Sequence, residues 1–63
     1  MITMFDSLTE GMIISWNYYG NLLYGTITEK KRGYIMVYWF IHQTIGTLSK
    51  SAIDEISHSL EVV

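Results

Sequence analysis

The alternation of apolar and polar side chains along this sequence predicts a series of short β-strands. The longest apolar run covers residues 34–41, eight residues without a charge, a Gly or a Pro, which suits a strand of ordinary length. A period of two divides its side chains between two faces. One set is Ile35, Val37, Trp39 and Ile41, of which the first three are expected to face the core, and the opposite set is Tyr34, Met36, Tyr38 and Phe40. Because both sets are apolar, the strand is either central or presents its aromatic face to a partner.

Two further strands are predicted before this run. Residues 12–16 alternate, and their inward side chains are Met12, Ile14 and Trp16. Residues 17–21 read as a loop, since Asn and Gly tolerate a positive φ. Residues 22–28 form the second strand, in which Gly25 marks a bulge, a bend or a close approach of another backbone.

The polar segment 29–33 predicts a hairpin loop, with Gly33 in the left-handed conformation. After the apolar run, residues 42–44 are a polar connection and residues 45–49 a fourth strand, and residues 60–63 have the character of a fifth. Ser51 and Asp54 have the spacing of a capping box, which predicts a single helical turn between them. A continuous helix over residues 51–60 is the alternative, although its serines are middling helix formers.

These elements predict an all-β fold, a small five-stranded barrel with one short helical turn before the last strand. Residues 1–10 are expected to be an N-terminal arm that packs Phe5 and Leu8 over one end of the core. Residues 11–63 are expected to form the barrel domain.

Composition narrows the possible functions. A chain of 63 residues without Cys holds one small domain, with neither a disulfide nor a thiolate metal site. A net charge of −2 does not fit the basic surface that is usual for nucleic-acid binders. Asp6 and Glu10 interrupt the apolar stretch near the start, which also lacks the basic residues of a signal peptide. We therefore expect a soluble protein that is not exported by that route and has no membrane contact.

Several segments, in this order, resemble the small SH3-like β-barrel proteins encoded by tailed bacteriophages. They are GMIISW at residues 11–16, a Gly-containing loop, YGTI at residues 24–27, a charged hairpin, VYW at residues 37–39 and the closing LEVV at residues 60–63. The resemblance covers residues 11–63 and departs at residues 45–48, where such proteins often carry an aromatic side chain. It implies a phage or phage-like source, hence the host cytoplasm or the phage particle, and carries over no catalytic residue.

The sequence contains no convincing set of catalytic or metal-binding residues. A grouping of Ser57, His58 and Asp54 lacks the strained nucleophile turn and the oxyanion hole that acyl transfer needs. Asp54 and His58 are four residues apart, but a metal site there needs a helix through Ser57 and a further ligand. We therefore expect no enzyme, no metal, no cofactor and no small-molecule substrate.

Two sets of residues are candidate binding sites. The first is an aromatic interface made of Tyr24, Tyr34, Met36, Tyr38 and Phe40. It would bind a protein partner or a second copy of the chain, most simply as a homodimer. The alternative is that the N-terminal arm covers these side chains. The second is a nucleic-acid contact on the hairpin, made of Lys30, Lys31 and Arg32 with the tyrosines of the first set nearby. The alternative is that these cations form only a solvated hairpin tip. The sequence thus favours a binding or assembly module that uses protein contacts, with a nucleic-acid-binding barrel as the alternative.

Overall fold

A computed structural model describes residues 2–63 of the chain. Within this range there are five strands: β1 (Ile13–Tyr18), β2 (Asn21–Lys30), β3 (Tyr34–Trp39), β4 (Thr44–Ser49) and β5 (Leu60–Val62). Helix α1 (Met4–Ser7) precedes the strands, and helix α2 (Lys50–Ile56) with a 3₁₀ turn (Ser57–Ser59) separates β4 from β5. The strands form one antiparallel sheet in the order β4-β3-β2-β1-β5. The predicted strands are confirmed, and the chain is mostly β, but hydrogen bonds do not close the sheet within the described range.

The inner face of the sheet carries the apolar core. Its buried side chains follow the predicted alternation in β1 and β3, and β2 and β5 add one each: Ile14, Ile27, Ile35, Val37 and Leu60. The predicted strand extends too far, since Ile41 lies outside β3 and its side chain is 70% exposed. The reason is that β3 ends at Trp39, whose carbonyl accepts a hydrogen bond from the Gln43 amide at 2.8 Å and so closes a turn.

Both helices lie on this inner face. Phe5 of α1 and the following Leu8 are buried in the core, as predicted for the N-terminal segment, and Ile53 of α2 is fully buried beside them. The two helices also contact each other. Partly buried side chains surround this core: Met4, Met12, Trp16, Trp39, Leu48 and Ile56. The molecule therefore has two layers, a sheet and a helical layer on one side of it.

Helix α2 begins earlier and extends further than predicted. Its N-cap is Ser49, whose hydroxyl accepts a hydrogen bond from the Ala52 amide at 3.2 Å. The capping box on Ser51 and the single turn are both wrong, and the alternative of a longer helix is closer to the structure. The burial of Ile53 supplies the stabilisation that local propensity does not.

The hairpin between β1 and β2 turns through two residues of positive φ, Tyr19 at 49° and Gly20 at 86°. This is the backbone of a type I′ turn, in which Asn-Gly is the favoured pair. Gly33, in contrast, does not have the positive φ predicted for it. The φ of Tyr19 is costly for a residue of its kind, because the left-handed region brings Cβ close to the following carbonyl.

Replacing Tyr19 by Asn is therefore expected to raise the free energy of unfolding by a few tenths to about 1 kcal/mol. Urea denaturation followed by tryptophan fluorescence would measure the change. A loss of stability would show that the contact between the rings of Tyr18 and Tyr19, whose centroids are 4.5 Å apart, outweighs the backbone strain.

Candidate functional site

The outer face of the sheet carries many apolar side chains and no covering element among residues 2–63. Because the N-terminal segment packs on the inner face, the alternative that it covers the aromatic side chains is wrong. We call the exposed or partly exposed apolar side chains at the centre of this face the outer patch: Ile13, Leu22, Tyr24, Tyr38, Phe40, Ile41 and Ile45.

Strand register makes the outer patch continuous. Thr26 of β2 lies opposite Ile13 on one side and Tyr38 on the other, and Tyr38 in turn lies opposite Ile45 of β4. The Phe40 amide donates a hydrogen bond to the Tyr24 carbonyl at 3.0 Å, which sets these residues side by side on β3 and β2. The rings of Tyr38 and Phe40 meet edge to face, with their centroids 5.9 Å apart. One apolar surface thus crosses four neighbouring strands.

A shallow depression of about 440 Å³ lies within the outer patch, lined by Ile13, Leu22, Tyr24, Phe40 and Ile41. None of these side chains carries a charge, so the depression offers apolar contact and the Tyr24 hydroxyl. Leu22 is 56% and Tyr24 43% exposed. These exposures leave the surface accessible to a partner.

The five residues of the predicted aromatic interface all point to this face, but they are not one cluster. Tyr24, Tyr38 and Phe40 belong to the outer patch. Met36, which is partly buried, and Tyr34 lie farther along β3. The predicted interface lacked four members of the outer patch, although the alternation within residues 12–16 had already placed the first of them opposite the core side chains: Ile13, Leu22, Ile41 and Ile45.

The structure divides the three cations of the predicted nucleic-acid contact. A bulge between Ile27 and Glu29 shifts the register, so that Lys30 pairs with Ile35 and belongs to the inner face. The Lys30 ammonium donates a hydrogen bond to the Leu8 carbonyl at 2.7 Å and lies 4.8 Å from the centre of the Phe5 ring. It therefore fastens the N-terminal segment to the sheet.

The other two cations lie in the turn that follows β2. Lys31 is exposed and forms an ion pair with Glu29, with 3.7 Å between the nitrogen and the carboxylate oxygen. Arg32 is also exposed. The hairpin tip thus presents two cations beside a carboxylate, while the tyrosines considered with them point to the outer face.

The residues considered for catalysis or metal binding do not converge. The Ser57 hydroxyl donates a hydrogen bond to the Asp54 carbonyl at 3.0 Å, as a helix-end contact. His58 lies in the 3₁₀ turn, so the helical spacing between Asp54 and His58 is lost. Across residues 2–63 no three side chains of His, Cys, Asp or Glu are grouped as metal ligands.

One carboxyl group has a perturbed pKa, and its cause is structural. The Thr3 amide donates a hydrogen bond to the Asp6 carboxylate at 3.2 Å, and the Thr3 hydroxyl accepts one from the Asp6 amide at the same distance. The bond from the Thr3 backbone, followed by the contact with its side chain, lowers the pKa of Asp6 below its ordinary value. The pair forms the capping box of α1.

A second aromatic surface lies at the hairpin end of the inner face, beyond the helices. The ring of Trp16 is 4.9 Å from that of Tyr18 and 6.0 Å from that of Trp39, centroid to centroid. These rings line a depression of about 570 Å³ together with Leu23 and His42. The sequence prediction missed this surface, although Tyr18, which lines the depression, lies in the loop predicted at residues 17–21.

Comparison of the chain with protein-family models, with curated proteins and with solved structures gives no match. In the part of the chain that the structure describes, no helix is both long and apolar enough to cross a membrane. The function must therefore be inferred from the surfaces described above.

Proposed function

We propose that this chain is a non-enzymatic binding or assembly module that acts through protein–protein contacts made by the outer patch. The observation that carries the proposal is one-sided packing: both helices cover the inner face and leave an apolar face open. Contiguous apolar surface of this kind is typical of interaction sites. Its composition, with tyrosines and no charge, fits the centre of a protein interface.

A second copy of the chain is the simplest partner, because two-fold homodimers are the commonest closed assemblies. A core of this size has no disulfide to support it, so burial of shared apolar surface would add stability at about 25 cal/mol per Å². Part of this gain is lost with the translational and rotational freedom of the two molecules. We therefore expect a dimer of moderate affinity.

We further propose that the sheet is an open form of the SH3-like barrel and that the protein is of phage or phage-like origin. Three observations support the barrel type: a four-stranded meander, a final strand returning beside β1, and a short helix before that strand. The segments that carry the sequence resemblance fall in or next to β1, β2, β3 and β5. A coding position among phage structural genes would support an assembly role.

Replacing Tyr24 by Glu tests the outer patch. Tyr24 lies in the middle of the sheet and is exposed, so the variant should fold normally, but the charge would be buried in the interface. We expect the dissociation constant to rise at least about tenfold, as measured by sedimentation equilibrium.

Ser51→Glu is the matched control, because it adds the same charge at an exposed position of α2, on the other side of the sheet. It should leave the association unchanged. A parent protein that stays monomeric at millimolar concentration and binds no protein through this face would contradict the proposal.

Salt dependence separates this proposal from nucleic-acid binding by the hairpin. Contacts with phosphates weaken steeply as ionic strength rises, whereas an apolar interface changes little. Binding to DNA or RNA that falls with salt, and is lost when Lys31 and Arg32 are replaced by Ser, would favour the hairpin instead.

A further inference from the structure

Strand β4 is an edge strand that lacks the features by which proteins usually prevent pairing with a further strand. Proteins commonly blunt such edges with charged side chains, Pro, bulges or very short strands. β4, with the sequence TIGTLS, has no charge and no Pro, and its six residues pair with β3 in unbroken register. The opposite edge, β5, is three residues long and carries Glu61. The two edges therefore differ in their capacity to accept another strand.

The backbone groups that β4 leaves free can be identified. The Lys50 amide donates a hydrogen bond to the Gly33 carbonyl at 2.9 Å, just beyond the end of the β3–β4 pair. In an antiparallel pair such bonds recur at every second residue. Residues 44, 46 and 48 thus face β3, and the N–H and C=O groups of Ile45 and Thr47 face away from the sheet.

The bonding on the other side of β3 agrees with this assignment. The Phe40 amide bonds to the Tyr24 carbonyl of β2, so the neighbouring Trp39 directs its backbone groups toward β4. Ile45 and Thr47 are both exposed. In the described range no element pairs with this edge.

We propose that β4 is a docking edge for β4 of a second copy, paired antiparallel about a two-fold axis. Ile45 of each copy would lie opposite Thr47 of the other, and each such pair would exchange two backbone hydrogen bonds, with Gly46 on the axis. β4 of a second copy fits this edge, since its own unpaired N–H and C=O groups have the same spacing. No charge in β4 opposes the approach.

This edge contact joins the two outer patches into one wider surface, because Ile45 belongs to both the edge and the patch. It does not depend on the proposed function. The outer patch buries side chains, whereas the edge pairs backbone groups, so either contact can be removed without the other.

Thr47→Pro tests the edge. Proline removes the N–H that points away from the sheet and leaves the bonds to β3 in place, as Pro in edge strands generally does. We expect the dissociation constant measured by sedimentation equilibrium to rise at least about tenfold. Thr47→Val, which keeps the N–H and the shape, should associate like the parent.

Amide hydrogen exchange in the parent protein provides a test that does not depend on the folding of a variant. The Ile45 and Thr47 amides should exchange more slowly as protein concentration rises, while the exposed amide of His42 should not change. A parent that is monomeric at millimolar concentration, or associates without slowing these two amides, would overturn the inference.

The same measurements distinguish the two surfaces. Association lost in Thr47→Pro but kept in Tyr24→Glu supports the edge and rejects self-association through the outer patch. Association kept in Thr47→Pro and lost in Tyr24→Glu rejects the edge and leaves the proposed function standing.

Discussion

Replacing Ile53 by Ala is expected to lower the free energy of unfolding by about 2–5 kcal/mol. The Ile53 side chain is completely buried and is the contact through which α2 enters the core. A domain of this length has a total stability of only a few kcal/mol, so the variant should be largely unfolded at 37 °C. Urea denaturation followed by far-UV circular dichroism would measure the loss.

Glu55→Ala is a suitable control, because Glu55 is exposed on the same helix and Ala is at least as good a helix former. Its stability should stay within about 0.5 kcal/mol of the parent. If Ile53→Ala had the same free energy of unfolding as the parent, α2 would not cover the inner face. The functional proposal would then lose its basis, since that proposal depends on which face the helices leave open.

The faces of the strands could be predicted from alternation alone. Ile14, Ile35 and Val37 are buried as expected, because a strand reverses its side chains at every residue. The same rule failed at Ile41, where the strand had already ended. Periodicity indicates the face within a strand, but the end of the strand depends on a turn whose hydrogen bonds the pattern does not reveal.

The face of Lys30 could not be predicted, because it depends on a bulge. One extra residue at Thr28 moves every later side chain of β2 to the other face. A bulge was one of three interpretations of Gly25, but the register there is regular. The predicted nucleic-acid contact therefore included Lys30, although this side chain binds the N-terminal segment.

The candidate interface was only partly predictable for a different reason. Both faces of β3 are apolar, so the sequence left open whether its aromatic face is covered or is presented to a partner. Phe5, Leu8 and Ile53 pack on the inner face, so the aromatic face stays open. Contacts between residues so far apart in the chain leave no local pattern in the sequence. The open outer face is thus a consequence of where the helices pack.

Replacing Gly25 by Ala is expected to cost about 3 kcal/mol and to lower the melting temperature by roughly 10–20 °C. A Cβ at this position would lie 2.7 Å from the Val37 side chain, 2.8 Å from the Tyr38 carbonyl oxygen and 2.9 Å from the Trp39 ring. The carbonyl belongs to the neighbouring strand, so relief requires the backbones of β2 and β3 to separate. Of the three interpretations of Gly25, a bulge, a bend or a close backbone approach, the contacts agree with the last.

Gly33→Ala is the matched control for this substitution, since no atom lies within 4 Å of its added Cβ and its φ is not positive. We expect this control to be neutral or to gain up to about 1 kcal/mol, because Ala restricts the unfolded chain more than Gly does. Calorimetric melting of both variants beside the parent would measure the contrast. Equal melting temperatures for the two variants would show that β2 and β3 do not pack as closely as described. In that event the register that places Tyr24 beside Phe40 in the outer patch would be wrong as well.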